Sequence, residues 1–115
     1  MTTPTNLPGT ELPAAVARYV EAERTYNLTL LPDCFAPAAT VYDEAREYHG
    51  LEAIITWKTE AAAKYHSTFE LLDAVVGLPN VNLKAKLVGN FPGSPVELDY
   101  AFTLTNDKIS TLTIS

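Results

Sequence analysis

A chain of 115 residues that is 47% hydrophobic and 19% charged has room for one packed core and none for a second domain. Its balance of 14 Asp+Glu against 8 Lys+Arg, net −6 with His neutral, contains no Lys/Arg cluster and argues against docking on nucleic-acid phosphates or an anionic membrane. The single cysteine, Cys34, excludes an intramolecular disulfide, no Cys/His spacing suits a metal, and the expected compartment is a reducing cytoplasm.

Residues 1–9 are Thr/Pro-rich without a cationic stretch followed by an apolar one, so they read as a flexible tail ahead of one domain over 10–115. No segment reaches the about 20 apolar residues of a membrane helix. From Thr10 to Glu23 the apolar positions Leu12, Val16, Tyr19 and Val20 recur at helical spacing, with Thr10 as N-cap and Pro13 in the first turn. Asn27 can cap a second, shorter helix in which Leu28, Leu31 and Phe35 share a side, with its exit at Pro37. Ala39 to Ala45 alternates as a strand, placing Ala39, Val41, Asp43 and Ala45 on one face and Thr40, Tyr42 and Glu44 on the other.

Glu47 to Gly50 reads as a short return strand, after which Gly50 opens the clearest helix, running to about Tyr65. Its apolar stripe is Leu51, Ile54, Ile55, Lys58, Ala61, Ala62 and Tyr65, the Lys58 stem lying along apolar surface. Four strands follow, Ser67–Val76, Val81–Asn90, Val96–Thr105 and Lys108–Ile114, punctuated at Gly77–Asn80, Asn90–Pro95 and the tight Asn106-Asp107 turn. This order predicts an α+β fold with three helices on one face of a curved antiparallel sheet.

The same order resembles the NTF2-like superfamily, and in particular its SnoaL-like branch, over roughly Leu12 to Ile114. The likeness is carried by Ala38-Ala39-Thr40-Val41-Tyr42-Asp43-Glu44, by the run from Glu47 to Trp57, by the Gly89–Pro95 segment and by Asn106-Asp107-Lys108-Ile109. The resemblance implies a cone in which a bent sheet wraps a pocket, helices close one side, and two copies pair through the exposed sheet face. It does not imply one activity, because this architecture hosts isomerases, dehydratases, cyclases, epoxide hydrolases and binders.

Asp43 is the most informative residue, since alternation sets it on the apolar face with Ala39 and Val41. In the ketosteroid isomerase relatives the acid two positions after an Ala-Thr-Val segment is the general base, so the resemblance implies that role for Asp43. It can equally open the turn towards Glu47–His49 and accept backbone hydrogen bonds. Tyr19, in Ala17-Arg18-Tyr19-Val20-Glu21, is similar to the isomerase tyrosine that donates to a developing enolate, a contact that can lower a barrier by about 3–4 kcal/mol. It also fits an ordinary core position. The family's second donor, a protonated aspartate in a late strand, corresponds to Tyr100, with Asp99 on the opposite face, which argues against steroid isomerisation.

His66, after the long helix, can pair with Asp43 in acid/base work or make a helix C-terminal contact, while His49 suits an exposed hairpin. Trp57, Phe91, Tyr100 and Phe102 are the expected ligand-binding residues of an apolar lining to which Phe69 also contributes, although core packing accounts for most such aromatics. Glu44, Arg46 and Glu47 read as a solvated charged turn. Three functions fit: cofactor-free and metal-free proton transfer on a small apolar carbonyl compound, with Asp43 as base and Tyr19 or Tyr100 holding the oxygen; binding of an apolar metabolite without chemistry; or a dimerisation domain whose pocket is filled by its own side chains. A homodimer is expected from Leu-, Val-, Phe- and Tyr-rich strands that would leave an apolar patch on the outer sheet face.

Overall fold

The computed structural model describes residues 12–65 and 67–115, without the side chain of Tyr65. The expected tail over 1–9 and the Thr10 cap lie outside the described residues. Helix α1 spans Ala14–Thr25 and starts directly after Pro13, whose carbonyl accepts from the Ala17 N–H. Its stripe of Val16, Tyr19, Val20 and Glu23 is buried. Asn27 does act as a cap, its side chain accepting from the Thr29 N–H, but the turn it caps is a 3₁₀ turn, Leu28–Leu30. The helix behind it, α2, is only Leu31–Cys34.

Phe35, expected on that helix, instead begins strand β1, Phe35–Asp43. The strand pairs with the last strand at Phe35↔Ile109 and again at Thr40↔Thr111, so the span holding Pro37 is irregular and needs no ladder N–H from the proline. Strand β1 ends at Asp43, short of Ala45, because Glu44 and Ala45 both take left-handed conformations (φ 53° and 62°) in a two-residue turn to β2, Arg46–His49. Gly50 (φ 89°) donates its N–H to the Ala39 carbonyl and accepts from Ile54, which sets the start of α3, Leu51–Tyr65.

The meander follows as expected: β3 Thr68–Gly77, β4 Asn80–Val88, β5 Val96–Thr105 and β6 Lys108–Ile114. The six strands form one curved sheet in the order β2-β1-β6-β5-β4-β3. All neighbours are antiparallel except β1 and β6, which run parallel, so the sheet is mixed. This is the α+β cone the sequence predicts, with its helices on the inner face.

Cross-strand register explains where the core sits. The row Val41, Leu112, Phe102 and Val81 is buried to within 1%, and Phe102 and Phe35 stack edge-on against Tyr19 at centroid distances of 5.4 and 5.9 Å. Such aromatic pairs add about 0.5–1.5 kcal/mol each beyond their buried area. Two residues along, the row Ile114, Tyr100 and Leu83 carries the inner face towards the other end of the sheet. The outer face differs from the expected apolar patch. Lys84 lies between Asp73 and Asp99, and Lys86 between Glu70 and Glu97, because the meander's Leu, Phe and Tyr residues alternate inwards. Among the described residues no helix is long and apolar enough to cross a membrane.

Candidate active site

The C-terminal halves of α1 and α3 and one end of the sheet's inner face line an open-mouthed cavity of about 560 Å³, within the range of small-molecule sites. Ala22 on α1 and Ala61 and Ala62 on α3 leave this space open where longer side chains would fill it. Leu87, Val96, Leu98 and Ile114 form an apolar floor, and Phe91, Pro92 and Gly93 of the β4–β5 loop border it. Tyr26, the left-handed cap of α1, lines another side and donates its hydroxyl to the Ser67 carbonyl.

Among the polar residues that interrupt these walls, two groups stand out. The first is Asp43, brought inside by strand alternation behind Val41 and half-buried at the end of β1. The Trp57 indole N–H donates to its Oδ2 at 3.0 Å. Burial raises the Asp43 pKa above the ordinary 3.8; the Trp57 bond opposes the rise, Glu44 adds to it, Lys58 opposes it and Glu23 adds a little. Trp57 also packs against the Tyr48 ring, with centroids 5.7 Å apart.

The second group is an ion pair between helices. Glu23 of α1 and Lys58 of α3 both line the cavity, with Lys58 Nζ 2.5 Å from Glu23 Oε2 and side-chain exposures of only 13% and 7%. The Tyr19 hydroxyl donates to the same Oε2 at 2.5 Å. Lys58 Nζ stands 4.7 Å from the centroid of the Trp57 ring, a cation–π contact. Tyr100, almost fully buried, lines the same space. Burial, then the charges of Glu23 and Asp43, push its hydroxyl well above the usual 10, so it stays a protonated donor at neutral pH.

A half-buried carboxylate, a phenol donor and an ammonium thus line one cavity. A protein of Sinorhizobium meliloti described as a candidate polyketide cyclase is 34% identical to this chain, covers 95% of it and 100% of its own length, and superposes with a TM-score of 0.90. The chain belongs to the NTF2-like superfamily, in its SnoaL-like branch. A Catenulispora acidiphila protein of ketosteroid isomerase-like fold, solved with trimethylamine, matches at 21% identity, TM-score 0.76, over 90% of this chain and 85% of its own. A cystatin-fold protein of Novosphingobium aromaticivorans matches at 13% identity, TM-score 0.74, over 88% and 94%. These two similarities show the fold alone. No family model matches the chain, and no curated protein does.

Of the residues that sequence reasoning singles out in this NTF2-like chain, Asp43, Trp57, Phe91 and Tyr100 line the cavity. Tyr19 does not line it: it is completely buried behind Glu23, and its hydroxyl is committed to that carboxylate. Phe102 sits one row deeper than Tyr100, packed on Tyr19 in the core and not on the cavity. His49 is on the exposed hairpin, bonded through Nδ1 to Thr40 Oγ1 at 2.9 Å. His66 lies outside the described residues. The sequence reading missed Glu23 as part of the site and gave Lys58 only its apolar stem. The available signal was that both charges fall on the apolar stripes of their helices, Glu23 four residues after Tyr19 and Lys58 four after Ile54. Glu44, read as solvated, borders the cavity as well.

Proposed function

We propose that this protein catalyses cofactor-free proton transfer on a small, largely apolar carbonyl compound of polyketide type, with Asp43 as the base and Tyr100 as a donor to the carbonyl oxygen. The observation that carries the reading is a half-buried carboxylate in an apolar cavity, fixed by the Trp57 N–H and desolvated enough to be a better base than a carboxylate in water. Similarity to a candidate polyketide cyclase supports the substrate class. Asp43 takes a proton from the carbon next to the carbonyl while Tyr100 holds the oxygen. Returning the proton to a different carbon is isomerisation, and attack of the enolate carbon on a second carbonyl closes a ring. The apolar floor keeps water from the intermediate. The unpaired Cys34 suits a reducing compartment, in keeping with a cytoplasmic enzyme.

The test is deuterium incorporation next to the carbonyl of a panel of bicyclic aryl ketones in heavy water, read by proton NMR. The wild type should accelerate exchange for at least one ketone, and Asp43→Asn should lose about 10²–10⁴ of that rate. A folded wild type no faster than Asp43→Asn across the panel would overturn the enzyme reading. A binding-only role has one observation in its favour: Glu23, Asp43 and Glu44 outnumber Lys58 around the aromatic faces of Trp57, Tyr26 and Phe91, which suits a small amine cation such as the trimethylamine of the Catenulispora protein. Calorimetric titration with trimethylammonium, weakened by Asp43→Asn, would favour that alternative.

A further inference from the structure

Trp57 sets two opposite charges at defined places on one ring. Its edge N–H holds Asp43 at 3.0 Å, and the Lys58 ammonium stands 4.7 Å from its centroid. Both charged groups line the same cavity. An ammonium carries three donors, and among the described residues Lys58 spends one, on Glu23 Oε2. That oxygen is itself fixed, since it also accepts the Tyr19 hydroxyl, and Tyr19 is completely buried. Lys58 is thus anchored by a carboxylate that also lines the cavity and is held by Tyr19, with ammonium donors left over at the cavity wall.

A purely structural role is a weak reason for charges at these two positions. Desolvating two charges is costly, and apolar residues of similar volume often serve packing as well or better. Facing the cavity, the pair is neutral as a whole but presents ammonium N–H donors to a space with apolar walls, where a hydrogen bond to a charged oxygen is stronger than in water. Tyr100 is a neutral phenol, so an ammonium on the same cavity would add a charge-assisted donor to the one it offers.

We propose that Lys58 is the cationic catalytic residue of this site, hydrogen-bonding the substrate oxygen on which negative charge develops, while Glu23 and Tyr19 are positioning residues that hold it. The proposal rests on the proton-transfer reading above. In the step itself the C–H bond next to the carbonyl breaks and the proton goes to the Asp43 carboxylate. The electron pair forms the new C=C bond, and the carbonyl π pair moves to oxygen. Lys58 keeps all its protons and supplies a charge-assisted hydrogen bond to that oxygen. Return of the proton to carbon restores Asp43, so no further reactant is needed.

The experiment uses 4-nitrophenol, whose phenolate mimics a planar enolate and is read by visible absorbance. In Asp43→Asn, bound probe should ionise about one pH unit or more below free probe, a preference for the anion of about tenfold. Lys58→Met alone strands the Glu23 charge and can unfold the chain, so the comparison is Asp43→Asn with Glu23→Gln and Lys58→Met together, its folding checked by near-ultraviolet circular dichroism. That variant should bind the probe without the shift, and Lys58→Arg in the Asp43→Asn background should retain part of it. A shift that survives removal of Lys58, or none in Asp43→Asn, overturns the proposal. Ketone exchange run in parallel separates the two readings: an anion preference without exchange removes Asp43 as base, and exchange without the preference removes Lys58.

Discussion

Lys58→Met tests whether the interhelical ion pair is as desolvated as its geometry implies. The substitution preserves the length of the side chain and its apolar stem but leaves the Glu23 carboxylate, 7% exposed, with the Tyr19 hydroxyl as its remaining partner. Breaking a buried pair from one side costs about 3–5 kcal/mol. At a urea slope of about 1.5 kcal/mol/M, this lowers the midpoint by about 2–3 M. Glu23→Gln should cost less, about 1–3 kcal/mol, because the amide oxygen can still accept from Tyr19 and Lys58 keeps the Trp57 face. The double variant, with no charge left to strand, should lie within about 1 kcal/mol of the wild type. The signature is therefore strong non-additivity in equilibrium urea unfolding monitored by tryptophan fluorescence. A cost below about 1 kcal/mol for Lys58→Met, the level of a solvated surface pair, would refute the reasoning.

Gly50→Ala should destabilise by about 1–2 kcal/mol through backbone strain at φ 89°, since a Cβ there meets nothing closer than the Pro37 carbonyl at 4.0 Å; unchanged thermal unfolding would contradict it. Cys34, buried with its thiol pKa pushed up to about 11, should alkylate with iodoacetamide at pH 8 far more slowly in the native protein than in urea, as mass spectrometry would show. The proposed homodimer, if formed through the outer sheet face, has to join the Lys84 and Lys86 rows with their flanking acids. Sedimentation equilibrium should then give a dimer at low salt that weakens at high salt, and a salt-independent 12.5 kDa species would exclude it.

The parts of the fold legible in the sequence were those with a clean period. The change from helical to strand spacing after α3 placed all four meander strands to within two residues, because each strand's alternating residues have one buried face. The β1–β2 hairpin was harder, since Glu44 and Ala45 hold left-handed conformations without the Gly or Asn that would announce them. The second helix is shorter than its spacing suggests, because Leu28, Leu31 and Phe35 have helical spacing yet belong to a 3₁₀ turn, a one-turn helix and a strand. For the site, period decides which face a residue takes but not its depth along the sheet. Tyr100 and Phe102 share a face and both meet the Tyr19 ring, at 6.3 and 5.4 Å, yet Tyr100, two residues nearer the open end of the sheet, lines the cavity and Phe102 does not.

Asp43 offers a stability test of the same desolvation that the proposed chemistry needs. Its folded pKa is raised above the ordinary 3.8, chiefly by burial. Below the ordinary value both states are protonated and the residue contributes no pH dependence. As pH rises from there through the folded pKa, the unfolded chain releases its proton first, so stability falls and the penalty is complete once the folded carboxyl has ionised. Asp43→Asn removes that penalty while its amide oxygen can still accept the Trp57 N–H. The variant should therefore match the wild type near pH 3 and be more stable at pH 7, with the gap opening across the intervening range. Thermal unfolding of both proteins from pH 3 to 8 measures it. A gap that is constant with pH would trace to packing, and a less stable variant at pH 7 would mean that the charged carboxylate is net stabilised where it sits, which removes the physical ground for treating it as an activated base.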